Sequence, residues 1–335
     1  MKKFLLLTLA FFAPLVLLAL CALPFVLKAD TLGDLSRMSA TRFSYAPPLP
    51  DTSLARAHCV DLKVGDPLPD SISRNHIAVY GDSFSLPLGI WPHGSRWHQY
   101  MGGAMKRPIV CVTDVGGNPF QEVLALLEQS PEALPDTIVV QTAERACVNR
   151  LVHLEFNRTP QADSSHKNTL PKVRLTQHIL NYYKAKLRID KSVLRLPLDA
   201  DLFSCRPRTL FALRDDVENG RRPNMPLLRG NLSRLLDVAD SAGKVLYVLV
   251  IPDKYSVYRH HLAMPPDGED YRLLEDTAFV SMSDRLINPL PQLQRLVDQG
   301  VKDVYLPDES HFSPLAAKEV GLLMARRMRS EQEAR

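Results

Sequence analysis

Five short apolar runs most constrain what this chain can fold into: "HIAVY" (76–80), "PIVCV" (108–112), "TIVVQ" (137–141), "VLYVLVI" (245–251) and "DVYL" (303–306). Each is continuous rather than alternating, the pattern of strands covered on both faces by helices. Helical patterns lie between them. "FQEVLALLEQ" follows the second run, "NLSRLLDVADSAG" precedes the fourth and "PQLQRLVDQG" the fifth, and "PLAAKEVGLLMARRM" closes the series with proline in its first turn. Strand and helix alternating in this way predict a three-layer α/β/α fold around a parallel sheet.

The chain begins differently. After Met1-Lys2-Lys3 come 24 residues, Phe4 to Leu27, without a charge, and about 20 apolar residues cross a bilayer as a helix. The leading lysines favour a cytoplasmic N-terminus and export of the rest. Residues 1–28 are therefore expected to form an uncleaved signal anchor, a single transmembrane helix, with cleavage near Ala22 or Ala29 as the alternative. Residues 29–72, rich in Pro, Ser, Asp and Thr, read as an extracytoplasmic linker. The catalytic domain is expected over 73–332. An insertion at about 150–228, including a helix over "KVRLTQHILNYYKAKL", interrupts its rhythm.

Composition excludes several classes of function. Of 335 residues, 45% are hydrophobic and 23% charged, which describes a folded chain. The formal charge is only +4 and no long basic run interleaves with aromatics, so nucleic acid is not an expected partner. Cys59, Cys111, Cys147 and Cys205 lie outside the anchor at spacings that match no zinc motif, and no metal is expected. An exported chain permits a disulfide, for instance Cys147–Cys205, while Cys111 in "PIVCV" suits a buried free thiol.

Two motifs occupy strand ends, where sites form in open α/β sheets. Gly81-Asp82-Ser83 follows the first run, and "PDESH" (307–311) follows the last. A carboxylate at Asp308, three residues before His311, can hydrogen-bond one ring nitrogen in a tight turn while the other faces a serine. Such a carboxylate fixes the tautomer and stabilises the imidazolium, the logic of an acyl-transfer triad. Ser83 is thus the candidate nucleophile, His311 its base and Asp308 the orienter of that base, although Glu309 and Ser310 stand in the same turn. Asp82 suits a role in satisfying turn amides. Glu144 and Arg145 read as an ion pair at a strand end, with Arg145 able to meet a sugar hydroxyl or carboxylate. Lys254 is a candidate for the rim of the site, and Trp91 for stacking on a sugar ring.

On "GDSF" (81–84) and "DESH" (308–311), the chain resembles the SGNH/GDSL hydrolase superfamily. The resemblance implies an SGNH-type, flavodoxin-like sheet, and no cofactor. It also implies an oxyanion hole from the backbone N–H groups of Ser83 and of Gly117, with Gly116 close behind, in "DVGGNPF" (114–120). The superfamily's third block normally carries an asparagine; here the chain reads "QTAER" (141–145). With "IPDKYSVY" (251–258) and the late "HFSP", that departure looks like the SGNH-like domain of alginate O-acetyltransferases. In those enzymes the Asp/His element precedes the serine element, whereas here the order is the usual one. This narrower resemblance implies an O-acetyltransferase on the periplasmic side of the bacterial inner membrane. It would act on a cell-surface or secreted polysaccharide, with a membrane-bound O-acyltransferase as its acyl donor system. The alternatives are an acetylesterase using the same triad and a non-catalytic polysaccharide-biosynthesis subunit.

Overall fold

The computed structural model describes residues 2–26, 34–39, 41, 43–46, 49–66, 68–69, 71–86, 96–113, 117–157, 183, 192–218, 222–266 and 271–334. Its strands are β1 (Cys59–Lys63), β2 (Ile77–Gly81), β3 (Ile109–Thr113), β4 (Thr137–Ala143), β5 (Val193–Pro197), β6 (Thr209–Leu213), β7 (Val245–Ile251) and β8 (Leu286–Ile287). Six of them form one sheet in the order β1-β3-β2-β4-β7-β8, every pairing parallel. β2, β3 and β4 are buried along their whole length, as continuous apolar runs require. Helices Trp97–Met105, Pro119–Gln129, Met225–Ser241, Leu290–Asp298 and Pro314–Ala334 flank the sheet. The α/β architecture and the parallel sheet are those expected, and from β3 to β8 the strand order is the doubly-wound 2-1-3-4-5. In that order the chain reverses direction across the sheet at β2, so Gly81-Asp82-Ser83 begins at the switch point where doubly-wound sheets bind their ligands.

Three sequence expectations change: the last apolar run, the linker and the disulfide. Four of the five apolar runs are strands, but "DVYL" is not a strand of the sheet. Its backbone bonds go elsewhere instead: Tyr305 N–H donates to the Tyr258 side-chain Oη (3.0 Å), Ser313 N–H to the Val304 carbonyl (2.9 Å) and Leu306 N–H to the His311 carbonyl (3.2 Å). The run is apolar because it is packed beneath the site, with Val304 and Tyr305 fully buried. The last strand is the short β8, which pairs with β7.

The stretch expected as a linker is part of the domain. β1 adds an edge strand to the sheet, in register with β3 from Cys59↔Ile109 to Lys63↔Thr113. It alternates, with Asp61 and Lys63 exposed, as an edge strand does. Further upstream, helix Asp34–Ser39 and the segment after it lie on the β5–β6 hairpin. Leu35, Phe43 and Phe211 form a small separate core there, with the Phe43 and Phe211 rings edge-to-face at 4.8 Å. Of the expected insertion, this hairpin and helix Arg214–Glu218 are described. The helix expected over 172–187 lies outside the described residues except for Tyr183.

The N-terminal segment forms a helix, Lys2–Val26, with Phe11, Leu17 and Leu18 more than half exposed. Among the described residues no helix is long and apolar enough to cross a membrane. The cysteines are all free thiols, Cys147 and Cys205 included, and Cys111 is buried as expected.

Candidate active site

β2 delivers the chain into a tight turn, and Gly81 is where it must be smallest. A Cβ there would stand 2.4 Å from Ser85 Oγ and 2.7 Å from Gln141 Oε1, so no larger residue fits without displacing the turn. Asp82 turns inward and ties the turn to β4. Its Oδ1 accepts from Gln141 Nε2 (2.9 Å) and Phe84 N–H (3.2 Å), its Oδ2 from Ala143 N–H (2.9 Å) and Arg150 Nη1 (2.7 Å). Burial raises the Asp82 carboxyl, but the Arg150 charge and these donors together hold it below the usual carboxylate range. Gln141 completes the frame by accepting from Asp82 N–H (3.1 Å) and Ser85 Oγ (2.9 Å). The residue that opens "QTAER" therefore braces the nucleophile turn, a role the sequence reading did not assign to it.

The braced turn brings Ser83 to His311. Ser83 Oγ lies 2.8 Å from His311 Nε2, and the ring packs on Phe84 at a centroid distance of 4.6 Å. His311 Nδ1 lies 2.8 Å from a carboxylate oxygen, and that oxygen is Glu309 Oε1. The expected orienter, Asp308, points elsewhere: its Oδ1 accepts from Tyr45 Oη, and its backbone carbonyl accepts from Ser36 N–H (3.2 Å). The turn explains the difference. Glu309 N–H bonds the Leu306 carbonyl (3.3 Å) while Leu306 N–H bonds the His311 carbonyl, so the chain folds tightly between 306 and 311. In this turn the carboxylate two residues before the histidine faces the ring, and the one three before faces Tyr45.

An ionised carboxylate only accepts, so Glu309 places a proton on Nδ1 and leaves the Nε2 lone pair for the Ser83 hydroxyl proton. Burial, with the nearby Asp34 carboxylate, pushes the Glu309 carboxyl up to about 6, against the pull of its bond to His311. The arrangement can therefore deprotonate a serine hydroxyl at neutral pH.

Lys254 is not at the rim. It is fully buried at the end of β7, and its ammonium donates to the carbonyls of Leu306 (2.7 Å), Pro307 (3.1 Å) and Glu309 (3.3 Å) over the face of Phe203. It clamps the turn that carries Glu309 and His311 rather than meeting substrate. Its own ammonium is lowered to about 8 by burial, against the pull of Asp308 and other nearby carboxylates. Lys254→Met is expected to lower kcat for an ester substrate by about 10–100-fold with KM little changed, because misplacing a base by about 1 Å costs that much. It should also destabilise the fold by about 1–3 kcal/mol, the cost of leaving buried carbonyls without a donor, partly offset by removing a buried charge. Steady-state kinetics and urea denaturation measure both.

Arg145 does not pair with Glu144. Its guanidinium reaches Asp253 Oδ1 (2.6 Å) and Asp216 Oδ1 (3.4 Å). Glu144 accepts instead from Asp253 N–H (3.1 Å), Ser256 Oγ (2.7 Å) and Leu274 N–H (3.4 Å). Burial, then the neighbouring Asp253 carboxylate, lifts the Glu144 carboxyl to about 7. Arg145, 23% exposed, borders a cavity of about 420 Å³ past the ends of β4 and β7, together with Asn149, His153, Asp215, Tyr271 and Arg272. Gly117 follows β3 just ahead of helix Pro119–Gln129, whose N-cap Asn118 accepts from Phe120 N–H. β3 and β2 are parallel neighbours, so the chain leaves the sheet toward Gly117 at the same end of the strands as it does toward Ser83. Trp91 and Gly116 lie outside the described residues.

No family model matches this chain, and no curated protein matches it. Among solved structures it is similar to a protein described as "Salicylyl-Acyltransferase SsfX3 from a Tetracycline Biosynthetic Pathway", at 13% identity and a TM-score of 0.29. The match covers 78% of this chain and 56% of that one, so the chain spans little more than half the length of its neighbour.

Proposed function

We propose that this protein is an SGNH-type O-acyltransferase that forms an acyl-serine at Ser83. The observation that carries the reading is the relay Ser83 Oγ–His311 Nε2 (2.8 Å) and His311 Nδ1–Glu309 Oε1 (2.8 Å), set at the carboxyl end of β2. Ser83 Oγ attacks the carbonyl of the donor ester as Nε2 takes its proton. The oxyanion that develops is held by the backbone N–H groups of Ser83 and Gly117. His311 returns the proton to the leaving group, and the tetrahedral centre collapses to acyl-Ser83. An acceptor hydroxyl then attacks with His311 again as base, and the product ester leaves with Ser83 regenerated.

The acyl group proposed is acetyl and the acceptor a hydroxyl of a cell-surface or secreted polysaccharide, on the strength of the resemblance carried by "QTAER", "IPDKYSVY" and the late "HFSP". Arg145 and the cavity beside it offer hydrogen-bonding groups for a sugar. The uncharged stretch Phe4–Leu27 and the lysines before it support a single-pass inner-membrane anchor with the domain in the periplasm. Acetyl-CoA is not available there, so a membrane-bound O-acyltransferase is the proposed source of acetyl groups.

The test uses the full chain in detergent with p-nitrophenyl acetate, with and without a glycan acceptor. Transfer predicts faster p-nitrophenolate release when acceptor is added, and acetylated glycan by mass spectrometry. Release that ignores acceptor and yields only acetate identifies an esterase instead.

A further inference from the structure

The segment that follows the N-terminal helix reaches into the site. Asp34 N–H donates to Glu309 Oε2 (2.9 Å), the carboxylate oxygen not used by His311. The Asp34 carboxylate accepts from both donors of the residue between Glu309 and His311: Ser310 N–H to Oδ1 (2.8 Å) and Ser310 Oγ to Oδ2 (2.6 Å). Two further ties run from the same segment to Asp308, from Ser36 N–H and from Tyr45 Oη. The segment is itself pinned, with Leu35 and Phe43 buried against Phe211 and Thr41 Oγ1 accepting from Arg195 Nη2 (2.9 Å). Every residue from Asp308 to Ser310 is thus held by a chain element some 270 positions away in sequence, and all of these residues are buried.

We propose that Asp34 is a positioning residue of the site, and that the segment 34–45 is a strap whose attachment sets the geometry of the Glu309–His311 pair. The physical case is one of freedom. Glu309 has three side-chain torsions, and a carboxylate bonded only to an imidazole can swing about it. Fixing its second oxygen with a backbone amide, and the intervening Ser310 at both donors, leaves one arrangement. Asp34 acts on the pair through its bonds to Glu309 and Ser310, and its carboxylate also lies close enough to the His311 ring to interact with it electrostatically.

The kinetic arm of the test rests on the acyl-transfer reading; the spectroscopic arm does not. In full-length chain, Asp34→Ala is expected to lower kcat for p-nitrophenyl acetate by about 10–100-fold with KM within about twofold. Asp34→Asn keeps an acceptor for Ser310 N–H and should recover activity to within about threefold of wild type. Independently, the His311 Nδ1 proton, held by a carboxylate, should give a downfield NMR resonance. Read in the Ser83→Ala background, that resonance should be lost or broadened by Asp34→Ala and restored by Asp34→Asn. An unchanged resonance in Asp34→Ala would overturn the proposal whether or not the protein transfers acyl groups. So would an Asp34→Asn chain as impaired as Asp34→Ala in both readouts.

Discussion

Ser83→Ala is expected to lower ester turnover by about 10⁴-fold or more, with the melting temperature little changed. Ser83 sits in a turn whose shape is fixed by its neighbours. Gly81 leaves the room, Asp82 bonds across to β4, and Gln141 spans the turn from Asp82 N–H to Ser85 Oγ. None of these ties involves the Ser83 hydroxyl, whose polar partner in the relay is His311. Deleting the hydroxyl therefore removes the nucleophile and leaves the frame standing. Residual turnover should come from the backbone donors and from binding alone. Because Ser83 and His311 act as one unit, Ser83→Ala and His311→Ala together should cost little more than either alone. Steady-state kinetics on the two single variants and the double variant check this. Costs that add across the two sites would mean that the residues act separately.

The second large effect separates two neighbouring carboxylates. Glu309→Gln is expected to lower kcat by about 10³–10⁴-fold, whereas Asp308→Asn should leave it within about threefold of wild type. Glutamine can present its NH₂ to Nδ1, which moves the imidazole proton to Nε2 and leaves no base for Ser83. Asparagine at 308 still offers an oxygen to Tyr45 Oη, so that bond survives. A pH profile adds a sign. The Glu309 carboxyl is raised to about 6, so below that pH it loses the negative charge that holds the Nδ1 proton and stabilises the imidazolium. Wild-type kcat/KM should therefore fall as pH drops through about 6. A loss from Asp308→Asn matching that from Glu309→Gln would restore Asp308 as the orienter.

These two carboxylates also show where the sequence stops being legible. Ser83 and His311 could be read because each follows an apolar run, with residue types that suit one another's chemistry. Which acid serves His311 could not, because Asp308 and Glu309 are both within reach of a tight turn. The choice is made by the fold of residues 306–311 and by Tyr45 and Asp34, which no local spacing connects to it. Lys254 was misread for a related reason. A lysine at a strand end usually faces water, and this one is buried because three loop carbonyls converge on it. The sheet itself was legible where strands are covered on both faces, as in β2, β3, β4 and β7. It was not legible at the edge: β1 is a five-residue strand with an exposed side, set in a stretch whose prolines and serines suggest a linker.

The most direct test of the central claim is covalent. Full-length chain treated with a fluorophosphonate, which phosphonylates an activated serine, should gain one adduct by intact mass. Peptide mapping should place it on Ser83, and Ser83→Ala and His311→Ala should each abolish it. A folded wild-type chain that gains no adduct, or gains one at another residue, would contradict an acyl-serine mechanism at this site.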